Sequence, residues 1–440
     1  MFKSLFVFPM RLSVFQGLAW IYLFSGFALA DHFASSHPDS APILSLDAAV
    51  AQALEGNPGL KEIKARAEAM AAIPSQAGSL PDPSLSFEAR NLPADDFNLR
   101  KEDMSMLEVA ISQDIPFPGK LALQEQAAEA NALAAADSAR EARLRLVRDV
   151  KVRWWRVFYD DRALDTLNDT AAWLDRLVET TQKRYELGQS EQQEVLMAKL
   201  ERIKLKDERL EMVGQRHRDG AKLTALLGNS GESPFQLPKE ADLKPNEPPA
   251  IAALQREAEA TRPVFSEQQH SIEAARHRLD LAHKDFLPDF SVGAGYGARQ
   301  RTLDDRQRSD MASFRLSMTL PLYAASKQSG AVDQRRSELL KEQYALEDTQ
   351  RKVHAEITAA YAAYLHGLER ISLMEQEAIP NARQTVDALL ASYRLGRTGF
   401  VELLRAEMTL YGYQSRLWQA ISESQSALAR LTAAVGKEAL

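Results

Sequence analysis

The 440-residue chain contains no cysteine, which excludes disulfides, thiolate metal sites and a lipid-attached cysteine at a processed N-terminus. A basic surplus is also missing: 54 lysines and arginines stand against 61 aspartates and glutamates, for a net charge of −7. That balance argues against nucleic acid as a partner. Beyond the first thirty residues no window approaches the roughly 20 apolar residues of a spanning helix, so inner-membrane residence is not expected. No HExxH or GxSxG occurs, and Gly119-Lys120 is followed by Leu121, so no phosphate loop forms there. No enzyme, cofactor or resident metal is expected.

Residues 1–30 read as a signal peptide. Lys3 and Arg11 supply positive charge, Leu12 to Leu29 is apolar, and Ala28-Leu29-Ala30 offers small residues for cleavage. Loss of Lys3 and Arg11 leaves 52 basic against 61 acidic residues, a net charge of −9 on the exported chain.

What remains says the same thing twice. Tyr185-Glu186-Leu187-Gly188 returns as Tyr393-Arg394-Leu395-Gly396, 208 residues on, and Leu80-Pro81-Asp82 returns as Leu287-Pro288-Asp289, 207 on. Pro116 and Asn57-Pro58 return as Pro321 and Arg262-Pro263, both at 205. Four landmarks in one order mark a tandem duplication. The expected organisation is a first repeat over 31–228, a proline-rich linker over 229–262 and a second repeat over 263–436.

Each repeat carries two stretches of strict alternation. Leu85, Phe87 and Ala89, then Leu107, Val109 and Ile111, alternate with polar residues in the first. Phe290, Val292, Ala294, Tyr296 and Ala298, then Phe314, Leu316, Met318 and Leu320, do so in the second. Period two gives each strand one apolar face, and the runs approach the roughly 9–11 residues of a tilted bilayer-spanning strand. Gly293-Ala294-Gly295-Tyr296-Gly297 superficially resembles a potassium filter, but its alternation makes it one of these strands. Charged loops, 94–103 and 300–310, lie within the pairs, and prolines bracket them.

Very long helices follow the strands. Gly119 to Leu187 has almost no breaker and predicts about 100 Å of helix. Its seam reads Val150, Trp154, Val157, Asp161, Leu164, Leu167, Ala171, Leu174, Val178, Thr181, Tyr185, the spacing of a coiled coil. A second helix is expected from about Ser190 to Leu227. The later repeat predicts a helix from about Ser326 to Leu395, bent or broken near Pro380, and another from Gly399 to Val435 with Val401, Leu404, Met408, Tyr411, Ser415 and Trp418 along its seam. Shorter helices are expected at Leu46 to Ile73 and Pro263 to Lys284. The fold class is therefore mainly α with a small β part: long coiled-coil hairpins plus four membrane-spanning strands per chain.

Four strands cannot close a barrel, and hydrocarbon does not tolerate unpaired sheet edges. Closed spanning barrels start at about eight strands, so several chains must pool theirs. Two chains would fill the interior with side chains; three would leave a lumen.

With the duplicated helix–strand–strand–helix layout, Leu80-Pro81-Asp82-Pro83, Gln113-Asp114-Ile115-Pro116 and the two Tyr-x-Leu-Gly turns, the chain resembles the TolC-type outer-membrane efflux proteins of Gram-negative bacteria, from about Leu46 to Gly436. Leu80-Pro81-Asp82-Pro83 with Pro116-Phe117-Pro118-Gly119-Lys120 most resembles the branch serving heavy-metal exporters. The resemblance implies a homotrimer: a twelve-stranded barrel in outer-membrane lipid and a helical tunnel (an α-barrel) through the periplasm. That tunnel would dock on a periplasmic adaptor and an inner-membrane pump. It implies adaptor-docking tips at Leu187, Gly188, Gln189, Leu395, Gly396 and Arg397. It also implies a gate just past them, with Tyr393 linking helices and Glu194 as its partner. Glu402 matches one acid of the family's constriction, but the second acid is Arg405 here, and a linking arginine is Thr398.

Other readings have identifiable weaknesses. A protein-secretion duct shares this architecture. A periplasmic adaptor would carry one hairpin and compact β domains, and a coiled-coil spacer would not need four bilayer-length strands. His270, Glu273 and His277 share a helix face and could touch a metal in transit, although i to i+7 spans roughly 10 Å and a solvated face is the simpler account. Trp154 and Trp155 read as packing residues.

Overall fold

The computed structural model describes residues 42–229, 235–241 and 248–439. The expected signal peptide, and parts of the expected linker, lie outside these residues.

Three helices open the chain, α1 (Leu46–Gly56), α2 (Pro58–Ala71) and α3 (Ile73–Gly78). A single helix was expected over Leu46 to Ile73. Asn57 divides it, because its side chain accepts from the Leu60 N–H at 3.0 Å and so caps α2, whose first residue is Pro58. Strands β1 (Ser84–Arg90) and β2 (Met106–Ile115) follow, then α4 (Lys120–Glu186) and α5 (Gln192–Leu226). The chain continues with α6 (Ile251–Thr261), α7 (Pro263–Lys284), β3 (Phe290–Ala298), β4 (Met311–Met318), α8 (Lys327–Leu373), α9 (Ile379–Arg394) and α10 (Phe400–Val435). Helix α6 lies inside the segment read as linker and packs on α8 and α10. The bend near Pro380 is a π-helical turn, Met374–Ala378, between α8 and α9. Proline cannot donate to the i→i−4 ladder, and the widened turn before it absorbs that defect.

The four strands form one antiparallel sheet in the order β1-β2-β3-β4. Its register aligns the apolar residues: Phe87 lies opposite Val109, Val109 opposite Tyr296, Ala294 opposite Phe314, and Val292 opposite Leu316. One face is therefore apolar apart from Gln113, and nothing among the described residues covers it: Phe314 is 88% exposed and Phe87 75%. On the other face Glu108 accepts from Arg90 at 2.5 Å and Ser313 at 2.8 Å. Its carboxylate lies over Gly295, where a Cβ would meet it and the Ser313 hydroxyl. Glycine leaves room for that approach. β1 and β4 are unpaired edges among the described residues.

At one end of the sheet the two charged loops are clasped by arginines donating to backbone carbonyls. Arg100 reaches Arg301 and Thr302, Arg299 reaches Asp103, and Arg308 reaches Glu102 and Leu99. All four helical connections leave from the other end. Helix α4 packs on α5, α7 and α10, and α8 packs on α7 and α10.

The repeats match at the roots of their hairpins: Asn57 Nδ2 donates to Leu226 O at 2.9 Å, and Thr261 Oγ1 to Val435 O at 2.7 Å. Trp154, Trp155 and Phe158 pack in the α1–α4–α5 core, with Trp154 Nε1 donating to Leu44 O at 3.0 Å. Among the described residues no helix is long and apolar enough to cross a membrane.

Candidate functional site at the hairpin tips

The two tips are built alike. Gly188 follows α4 with φ 72° and Gly396 follows α9 with φ 73°, a region that strains any residue bearing a Cβ. Gln189 N–H donates to Arg184 O at 2.8 Å and Arg397 N–H to Ser392 O at 3.0 Å, closing carbonyls that a helix end leaves open. Leu187 and Leu395, 71% and 68% exposed, project at equivalent places. Gly188, Gln189, Gly396 and Arg397 are exposed around them.

Below the tips the hairpins are joined through Tyr393. Its ring is buried with Leu174, Leu177, Val178, Phe400 and Leu403. Its hydroxyl bonds to Thr181 Oγ1 at 3.2 Å. The Arg184 guanidinium lies 4.6 Å from its ring centroid and donates to its carbonyl at 2.6 Å. The expected pairing of Tyr393 with Glu194 does not form within the chain. Thr181 and Arg184 hold the tyrosine on α4, while Glu194, in the first turn of α5, accepts from Ser190 Oγ at 2.5 Å. Thr181 stood on the expected seam without a role, and Arg184 was not singled out.

Glu402 and Arg405 are both exposed and line a 600 Å³ groove between the π turn, α9 and α10, with Glu377, Asn381 and Thr385. No ion pair joins them among the described residues. Thr398 is half-buried in the turn before α10.

Two of the buried carboxyls further along the hairpins are shifted strongly upward. Asp160 on α4 is fully buried, neither of its oxygens has a hydrogen-bond partner among the described residues, and Arg156 is 3.9 Å away. Burial pushes its carboxyl up to about 7. Glu407 on α10 is likewise pushed up to about 7, by burial and then by the nearby Asp387 charge. The seam placed Asp161 inward instead; it is half-exposed and paired with Arg216 at 3.1 Å.

His270 bonds to Glu273 at 3.3 Å and faces the buried Asp137 at 3.7 Å. His277 Nδ1 is buried without a partner. No grouping of three metal-ligating side chains occurs among the described residues.

The family model described as outer membrane efflux protein matches residues 49–229 and 254–437. Alkaline protease secretion protein AprF of Pseudomonas aeruginosa is 26% identical over 199 residues, 44% of this chain and 41% of AprF. The match thus spans about two fifths of that relative's length. The fold is shared with the solved structures of CusC (TM-score 0.75, 18% identity, 93% of this chain and 99% of that one) and of VceC from Vibrio cholerae (0.73, 21%, 89% and 96%). With the family model matched over both of these segments and the fold common to nearly the whole length, this chain belongs to the outer membrane efflux protein family.

Proposed function

We propose that the protein is the outer-membrane channel of a tripartite efflux system, working as a homotrimer with a periplasmic adaptor and an inner-membrane pump. The observation that carries this reading is the sheet: four strands with a continuous, uncovered apolar face and two unpaired edges. Such a face belongs in hydrocarbon, and such edges must pair with other copies. An exposed apolar stripe on α5, Leu196, Leu200, Ile203 and Leu210, adds a second surface awaiting a neighbouring helix.

In this reading the tips Leu187-Gly188-Gln189 and Leu395-Gly396-Arg397 meet the adaptor, because a hairpin end is what a partner can reach. The gate is the Tyr393 link together with Glu194, Thr398, Glu402 and Arg405. Glu402 and Arg405 cancel in charge and leave Glu377 of the same groove as the net charge, so a ring of three copies would favour cations only weakly. Reconstitution into a planar bilayer tests the reading: discrete conductance steps support it, and a bilayer left silent by folded protein refutes it.

A protein-secretion duct is the second reading, favoured by the identity to AprF. It requires a secreted protein to be retained in cells lacking this chain. The likeness to CusC carries fold alone, so a heavy-metal cargo rests on the motifs of the first strand pair.

A further inference from the structure

Where β4 hands over to α8, a 370 Å³ cavity is lined by Lys120, Asp285, Asp289, Lys327 and Gln328 on one side, and by Leu320, Leu322 and Tyr323 on another. It lies at the helical end of the sheet. Leu320 continues the alternation of Phe314, Leu316 and Met318, so it extends the apolar face of β4. Leu322 and Tyr323 are 81% and 76% exposed. The cavity therefore sits where the apolar band stops and the polar helices begin.

Its charges are arranged unevenly. Lys120 is buried and committed to Asp289 at 2.9 Å and Asp285 at 3.2 Å. Each of those carboxylates nevertheless keeps more than two fifths of its side chain exposed. Lys327 is exposed and makes no ion pair among the described residues. The Gln328 side-chain oxygen is buried without a hydrogen-bond partner among the described residues, which is costly unless something else donates to it. Two lysines and two carboxylates make a neutral lining; Asp289 is occupied by Lys120 and by the Phe117 N–H at 2.7 Å, whereas Asp285, held by Lys120 alone, and the Gln328 oxygen keep acceptor capacity, and Lys327 is an unused cation. A purely anionic group would meet two carboxylates. A zwitterion meets complementary charge at both of its ends.

We propose that this cavity binds the headgroup of a zwitterionic phospholipid bearing a primary ammonium. The phosphate rests on Lys327, the ammonium donates to Asp285 and to the Gln328 oxygen, and the acyl chains run along Leu320, Leu322 and Tyr323 into the apolar band. A primary ammonium carries three donors, whereas a quaternary one carries none and leaves the Gln328 oxygen unsatisfied. The cavity volume falls in the range of small-ligand sites, roughly 300–1,000 Å³. This inference rests on the outer-membrane reading, and it adds a resident lipid of the periplasmic leaflet.

The test is native mass spectrometry of the detergent-extracted protein after exposure to vesicles of phosphatidylethanolamine, phosphatidylcholine or phosphatidylglycerol. The expected result is retention of about one phosphatidylethanolamine per chain, about tenfold above the other two lipids, the discrimination of one charge-assisted hydrogen bond. Lys327→Gln and Asp285→Asn should each lower that retention about tenfold while the oligomer mass and conductance stay unchanged. Equal retention of the three lipids, or retention indifferent to both substitutions, overturns the proposal. Because the chain has no cysteine, Tyr323→Cys gives a single labelling site. A label there that a lipid-soluble quencher cannot reach would show a second copy covering the patch, and would also overturn it. A conducting oligomer without lipid preference defeats this inference alone. A monomer that never conducts defeats the channel reading beneath it.

Discussion

Removing Arg184 should loosen the tips. Its guanidinium does two things at once: it donates to the Tyr393 carbonyl at 2.6 Å and lies over the Tyr393 ring at 4.6 Å. A hydrogen bond from a charged donor is worth about 1.5–3 kcal/mol, and a cation–π contact about 0.5–2 kcal/mol. Arg184→Ala should therefore cost about 2–4 kcal/mol of pairing between the α4–α5 and α9–α10 hairpins, since part of each contribution overlaps. That corresponds to a roughly 30- to 800-fold rise in the population with separated tips. Hydrogen exchange should quicken at residues 184–197 and 393–405 and stay unchanged in the sheet. If tip separation opens the tunnel, open probability should rise with it. Arg184→Lys should recover only part of the effect, because an ammonium lacks the planar fork that both bonds and stacks. Wild-type exchange and wild-type conductance in Arg184→Ala would refute the claim that this contact holds the tips together.

Three further outcomes follow from the same geometry. Arg405→Glu should remove the only base facing Glu377 and Glu402 in the groove lining, deepen its acidity and shift the reversal potential in a salt gradient toward cations. Asp160 has its folded pKa raised to about 7 from an ordinary 3.8. Its preference for the protonated form thus favours the fold fully at acid pH and is lost as pH rises through about 7, at about 1.4 kcal/mol per pKa unit. Exchange near residues 156–164, corrected for its intrinsic pH dependence, should therefore rise from pH 5 to 8, and Asp160→Asn should abolish the rise. Arg262 is buried between Glu141 at 3.0 Å and Glu356 at 2.8 Å, so Arg262→Ala should lose about 3–5 kcal/mol in denaturant unfolding by leaving Glu141 with Arg145 as its remaining ionic partner.

The parts of the fold that depend on local pattern were legible in the sequence. Period-two alternation located all four strands, and the Tyr-x-Leu-Gly turns located both tips, because each is a property of a few consecutive residues. Helix α6 was hidden by the prolines that surround it, and the π turn shows only as Pro380 at its far side. The seam of α4 drifted by one position near Asp161, because a straight helix and a coiled-coil repeat fall out of step along 67 residues. The site was less legible for a different reason. Whether Tyr393 meets Glu194 or Thr181 depends on how two hairpins 208 residues apart lie side by side, and spacing within either hairpin does not encode that. Asp160 was missed because nothing in sequence marks a carboxylate that folding will leave without a partner.

The central claim is that the four strands are one part of a barrel completed by other copies. The native mass of the protein extracted from outer membranes in mild detergent tests it most directly. A mass of three chains is the predicted result, pooling twelve strands and pairing every edge. A stable monomer, or recovery of the protein in the soluble periplasmic fraction, would contradict the channel reading and return the long hairpins to an adaptor or a spacer.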